Sequence, residues 1–83
     1  MKEMTFGIAL EAMKAGKKVA RTGWNGKGMY LYLADGKLLT QEIGDGSYPF
    51  VDSIVMKTAD NRYCIGWLAS QTDMLAEDWC IVK

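Results

Sequence analysis

The spacing of apolar residues near the amino end predicts an amphipathic helix over residues 5–15. Apolar side chains recur there at intervals of three and four and so share one helical face: Phe6, Ala9, Leu10 and Met13. Thr5 is a suitable N-cap, and Gly16 stands where helices often end in the left-handed conformation.

Short apolar runs after this helix predict the strands of a mainly antiparallel sheet. The expected strands are KKVART (17–22), MYLYLA (29–34), IVMK (54–57), RYCIGWLA (62–69) and DWCIVK (78–83). The third and fourth form a hairpin through residues 58–61. Asp35-Gly36 before KLLT is a hairpin signal as well, and we expect a turn there. Alternation places Trp79 and Ile81 on one strand face, with Trp79 in the core.

A helix-start pattern lies before the last strand. Ser70 with Asp73 three residues later resembles a capping box and would open a short helix over about DMLAED (73–78). The chain is therefore expected to be one small α+β domain over residues 1–83, with the N-terminal helix packed on the sheet and a short helix near the C-terminus.

Composition excludes several functional classes. Ten basic and ten acidic side chains leave no net charge, which argues against binding a nucleic acid polymer through many phosphates. The absence of His removes the commonest general base and metal ligand. The carboxylates of Asp73, Glu77 and Asp78 lack partners for a metal site or an acid–base pair. We expect no catalytic residue, no metal and no cofactor.

Cys64 and Cys80 lie in apolar surroundings, YCIGW and DWCIV. We interpret them as two small buried residues rather than a disulfide. The apolar runs are too short to cross a bilayer, and a secretory signal is not recognisable, so we expect no membrane association and a cytoplasmic location.

Two loops combine a tryptophan with polar groups. In GWNGKG (23–28), Trp24 either covers one end of the small core or provides a flat stacking surface beside Asn25. In GWLASQTDM (66–74), Trp67 leads into Ser70 and Thr72, which either cap the short helix or offer donors to a ligand. Together the loops describe a pocket for an aromatic base with its sugar and phosphates.

Two long blocks of the sequence resemble the Thoeris anti-defence 2 family of small phage and prophage proteins. The blocks are KVAR-GWNGKGM-L and MKTAD-W-ASQTDMLAEDW, within a similarity over nearly the whole chain. Residues 35–52 lack a matching pattern, which leaves the shape of that loop open.

The resemblance implies a function in the cytoplasm of the infected bacterial host. Family members bind and sequester a cyclic ADP-ribose isomer, made by the TIR-domain enzyme of Thoeris, without cleaving it. They form homotetramers with pockets at subunit interfaces, and some also hold cyclic dinucleotides at a separate site. An alternative is an inhibitor that uses its exposed aromatic residues to bind a host defence protein.

The resemblance also implies roles for individual residues of this chain. Trp24 and Trp67 would stack on adenine, with Phe6 as a further apolar contact. Arg21 and Lys27 would balance the charge of the pyrophosphate. The groups expected to bind ribose and phosphate are Asn25, Ser70, Thr72 and Asp73.

Overall fold

A computed structural model describes residues 3–24 and 27–83. In chain order these contain α1 (Phe6–Lys14), β1 (Lys18–Arg21), β2 (Tyr30–Ala34), α2 (Gly36–Ile43), β3 (Ser53–Lys57), β4 (Tyr63–Ile65), α3 (Gln71–Leu75) and β5 (Trp79–Val82). The predicted α+β class is confirmed.

The five strands form one antiparallel sheet in the order β4-β3-β2-β1-β5. The C-terminal strand β5 lies beside β1, so that Arg21 is directly opposite Trp79. Met4 extends this edge, because its amide donates to the Trp79 carbonyl at 2.6 Å and its carbonyl accepts from the Trp79 amide at 3.1 Å. The two ends of the chain are thereby joined at one edge of the sheet.

The first helix covers one face of the sheet, as its apolar spacing predicted. Ala9 and Met13 of α1 are buried against a core completed by Val19, Leu31 and Trp79. Thr5 caps the helix by accepting from the Ile8 amide at 3.4 Å. Gly16 follows with a φ of 89°, which confirms the left-handed ending.

The hairpin turn predicted at Asp35-Gly36 is wrong, because that pair begins α2. The Asp35 carboxylate accepts from the amides of Lys37 at 2.7 Å and Leu38 at 3.4 Å, which is N-capping. The Gly36 amide donates to Asp52 at 2.8 Å, from 16 residues along the chain. The β2–β3 connection is therefore a helix and a loop, and not a tight turn.

The predicted β3–β4 hairpin and its turn through residues 58–61 are confirmed. The sequence predicted that both cysteines are buried. Cys80 is buried, but Cys64, in the outer strand of this hairpin, is exposed at the edge of the sheet. Both cysteines are free. Among the described residues, no helix has the length and apolar character required to span a membrane.

Candidate ligand-binding site

Three aromatic side chains meet around Trp79, whose side chain is fully buried. The ring of Trp79 has its centroid 5.2 Å from that of Phe6, 5.4 Å from Trp24 and 6.3 Å from Trp67. We call Phe6, Trp24, Trp67 and Trp79 the aromatic cluster. Trp24 and Trp67 meet Trp79 nearly edge-on, at interplanar angles of 79° and 82°. The cluster is continuous with the hydrophobic core at its base and half-exposed at its outer members.

Each outer aromatic residue is fixed by its backbone. Trp24 follows β1, and its amide donates to the Arg21 carbonyl at 3.3 Å. Trp67 follows Gly66, which has a φ of 90°, and its amide donates to the Ile54 carbonyl at 2.9 Å. The left-handed residue turns the chain out of β4 and toward the face that α1 covers.

This geometry combines the two alternatives for Trp24. The residue packs against the core, as a lid would, and it also keeps part of its surface exposed, as a stacking surface would. The same description holds for Trp67. A half-buried aromatic residue is well suited to stacking, because its orientation is already fixed before a ligand arrives.

Beside the aromatic cluster, Arg21 lies between two carboxylates. Its Nε donates to Asp78 Oδ1 at 2.9 Å and its Nη1 donates to Asp73 Oδ1 at 3.0 Å. The three side chains are 18%, 24% and 15% exposed for Arg21, Asp78 and Asp73. We call these residues the Arg21 cluster. They join β1 to α3 and to the residue before β5 by charged hydrogen bonds.

The capping box predicted at Ser70 is confirmed. The Asp73 amide donates to Ser70 Oγ at 3.1 Å, and Asp73 Oδ2 accepts from the Ser70 amide at 3.1 Å. The Trp79 indole Nε1 donates to the Asp73 carbonyl oxygen at 3.0 Å. Asp73 therefore caps α3, binds Arg21 and orients the central ring of the aromatic cluster.

The directions of the pKa shifts in the Arg21 cluster are those expected when opposite charges stabilise one another. The hydrogen bond from Arg21 is the main cause that lowers the pKa of Asp78. Burial is the largest influence on the pKa of Asp73 and raises it, but hydrogen bonds from Ser70, Arg21 and the Trp24 side chain lower the pKa overall. The pKa of Arg21 is raised, chiefly by Asp78 and then by Asp73.

The structure brings most of the predicted site residues to this region. Arg21 and Asp73 bind each other, and Ser70 is exposed at the start of α3. Thr72 is also exposed, in the first turn of α3, and Lys27 is exposed in the loop before β2. Asn25 lies outside the described residues.

Sequence reasoning missed the role of Asp78. Its Oδ2 accepts from the Gly23 amide at 2.9 Å and lies 3.5 Å from Thr22 Oγ1, so that it holds the beginning of the tryptophan loop. The sequence gives one indication of this role, which is that Asp78 directly precedes Trp79, the residue that pairs with Arg21 across the sheet. The ranges 3–24 and 27–83 contain no group of three His, Cys, Asp or Glu residues arranged to hold a metal ion.

At least two concavities in the described part of the chain lie away from this site. One, of about 390 Å³, lies along Ile43 and the segment from Asp45 to Phe50. The other, of about 210 Å³, is lined by Lys18 and three tyrosines, Tyr30, Tyr32 and Tyr63. The aromatic cluster is instead part of the outer surface of the isolated chain at Trp24 and Trp67, which are half-exposed.

The sequence is similar to known proteins over nearly its whole length. The family model described as "Thoeris anti-defense 2-like domain" matches residues 4–82. A protein of Bacillus phage SP01 described as "Thoeris anti-defense 2" is 45% identical over 87 residues, which cover 98% of this chain and 97% of the phage protein. Both matches span the aromatic cluster and the Arg21 cluster together. The chain belongs to the Thoeris anti-defence 2-like family.

Proposed function

We propose that this protein acts against bacterial Thoeris defence by binding and sequestering a cyclic ADP-ribose isomer without cleaving it. Family membership supports the phage anti-defence role. The TIR-domain enzyme of the host would supply the ligand, and sequestration in the host cytoplasm would keep it from its effector.

The observation that carries the proposal is the pair of half-exposed tryptophans held against buried Trp79. Trp24 and Trp67 come from separate loops and converge on one ring, which fixes both indoles. Each base stacked on an aromatic side chain contributes roughly 1–3 kcal/mol in single-strand binders. Two pre-oriented indoles therefore suit a ligand that contains a purine, with Phe6 as an additional apolar contact.

Polar groups near the aromatic cluster support a ligand with ribose and phosphates. Exposed Thr72 is a candidate donor to the ribose, and exposed Lys27 is a candidate for the pyrophosphate. The Ser70 hydroxyl donates to Asp73 Oδ2 at 2.8 Å, so that it is a candidate acceptor for a ribose hydroxyl. Asn25 remains a candidate donor beside Trp24.

A binding role without catalysis is supported by the state of the ionisable groups. The chain has no His, and the carboxylates of Asp73 and Asp78 have lowered pKa values because they accept charged hydrogen bonds. A general acid or base that works near neutral pH needs a pKa near neutrality, and these carboxylates are shifted away from it.

We further propose a homotetramer in which a second copy covers the ligand at a subunit interface. Several large apolar side chains are highly exposed: Tyr48 at 84%, Val51 at 78%, Leu68 at 88% and Leu75 at 72%. The open position of Trp24 and Trp67 is compatible with such a cover. Cyclic dinucleotides are a second ligand class that the resemblance implies.

Calorimetric titration with cyclic ADP-ribose isomers tests the proposal. Trp24→Ala and Trp67→Ala should each weaken binding, while Tyr63→Ala, which removes an exposed aromatic residue of β4 away from the aromatic cluster, should leave it unchanged. Circular dichroism confirms that the variants are folded. Unchanged affinity in both tryptophan variants would show that stacking does not hold the ligand.

A second candidate is an inhibitor that binds a host protein, favoured by the exposure of Leu68 and Leu75 close to Trp67 and α3. Leu68→Glu and Leu75→Glu would then abolish anti-defence activity without changing nucleotide affinity. The sequestration proposal predicts that activity follows nucleotide affinity in every variant.

A further inference from the structure

The guanidinium of Arg21 is committed to protein groups. It donates to Asp78 at 2.9 Å and to Asp73 at 3.0 Å, and all three side chains are less than a quarter exposed. One positive and two negative charges give the Arg21 cluster a net charge of −1, from +1 − 2. Such a group attracts a pyrophosphate far less than a free arginine would.

One of the carboxylates bound by Arg21, that of Asp78, also contacts the segment that carries Trp24. Asp78 Oδ2 accepts from the amide of Gly23 at 2.9 Å, immediately before Trp24. The Trp24 amide donates to the Arg21 carbonyl at 3.3 Å. The loop is thus held at its backbone, and the Trp24 ring packs against Trp79.

The backbone of Asp73 holds the other side of the stacking surface. The Asp73 carbonyl accepts from Trp79 Nε1 at 3.0 Å, and the Trp79 ring is 5.4 Å from the Trp24 ring. Without Arg21, two carboxylates of like charge would face each other beside these indoles and would repel. Arg21 therefore affects the position of Trp24 indirectly, through the residues to which it is bonded.

We propose that Arg21 is a positioning residue, which binds Asp73 and Asp78 and through them fixes Trp24 against Trp79, and that it does not bind ligand phosphate. One consequence rests on the proposed function. Arg21 should affect ligand affinity by positioning the indole on which the base stacks, and not by attracting the phosphates of the ligand.

The test compares a charged ligand with an uncharged one that carries the same base. Arg21→Met should weaken binding of both a cyclic ADP-ribose isomer and adenosine by a similar factor, about tenfold, as expected when one stacked aromatic is lost. Lys27→Met is the matched control, since loss of a solvent-exposed cation should affect only the phosphate-bearing ligand. If Arg21→Met weakened nucleotide binding and left adenosine binding intact, the proposal would be overturned.

A spectrum of the free protein provides a readout that does not depend on any ligand. The three indole N–H signals in a ¹H–¹⁵N spectrum can be assigned with Trp24→Phe and Trp67→Phe. Arg21→Met should shift the Trp24 signal while the Trp67 signal remains in place. Arg21→Lys should shift the Trp24 signal as well, because lysine keeps the charge but not the fork that reaches both carboxylates.

These measurements separate the two claims. A wild-type protein that binds neither ligand would refute the proposed function, and the indole spectrum would still decide the role of Arg21. If Arg21→Met fails to fold, Arg21→Lys supports the same comparison. An unchanged Trp24 signal in either folded variant would overturn the positioning role.

Discussion

Trp79 should account for a large part of the stability of the fold. Its side chain is the largest of those that are fully buried, and it contacts the other three members of the aromatic cluster. Truncating a buried Trp to Ala costs about 3–5 kcal/mol. At about 0.05–0.15 kcal/mol per residue, 83 residues give a free energy of unfolding of about 4–12 kcal/mol. Trp79→Ala should therefore remove at least a quarter of the stability.

Equilibrium unfolding in urea, followed by far-ultraviolet circular dichroism, measures this loss. With an m-value of about 1.5 kcal/mol per M, the midpoint should fall by about 2–3 M. Glu11→Ala is the control, because a 73% exposed side chain in a surface ion pair should change stability by no more than about 0.5 kcal/mol.

Trp79→Phe separates packing from hydrogen bonding. Phenylalanine keeps much of the buried ring and loses the donor to the Asp73 carbonyl, so we expect an intermediate loss of about 1–3 kcal/mol. If Trp79→Ala lowered the midpoint no more than Glu11→Ala does, the assignment of Trp79 as the centre of the core would be refuted.

Three further predictions concern charge, thiols and the first helix. The pKa values of Asp73 and Asp78 are lowered below the ordinary 3.8 in the folded protein, so their stabilisation is present above that value. It is lost as pH falls through the lowered values, and the urea midpoint should drop steeply below about pH 4. Exposed Cys64 should react rapidly with Ellman's reagent, whereas Cys80 should react only on unfolding, because burial raises the pKa of its thiol. Gly7→Ala should stabilise the protein by about 0.5–1 kcal/mol, since the position is helical and exposed and an added Cβ would lie 3.9 Å from Thr5 Oγ1.

Each of these three predictions has a result that would contradict it. A urea midpoint independent of pH between about 5 and 2 would contradict the charged hydrogen bonds of the Arg21 cluster. Two thiols reacting rapidly in the native protein would place Cys80 at the surface. A destabilised Gly7→Ala variant would show that the first turn of α1 cannot accept a side chain, in conflict with the space observed around it.

The sequence predicts well those elements that are specified by neighbouring residues. The helix α1, with Thr5 and Gly16 at its ends, and the capping box of Ser70 and Asp73 are local patterns, and both are confirmed. Tryptophan in a glycine loop is likewise a local signal, which is why Trp24 could be identified as a site candidate.

The wrong predictions concern features that depend on contacts between residues far apart in the sequence. Asp35-Gly36 is equally suited to a turn and to a helix start, and the bond from Gly36 to Asp52 favours the helix. Cys64 is exposed because β4 is the last strand of the sheet, a position that follows from strand order and not from alternation. The bonds of Arg21 to Asp73 and Asp78 span more than 50 residues, so no local pattern predicts them.

Native mass spectrometry of the purified protein mixed with cyclic ADP-ribose isomers tests the central claim most directly. The account predicts a complex whose added mass equals that of the intact ligand, and recovery of the same unmodified ligand after heat denaturation. A protein that gains no ligand mass, or that releases a cleaved nucleotide, would contradict sequestration.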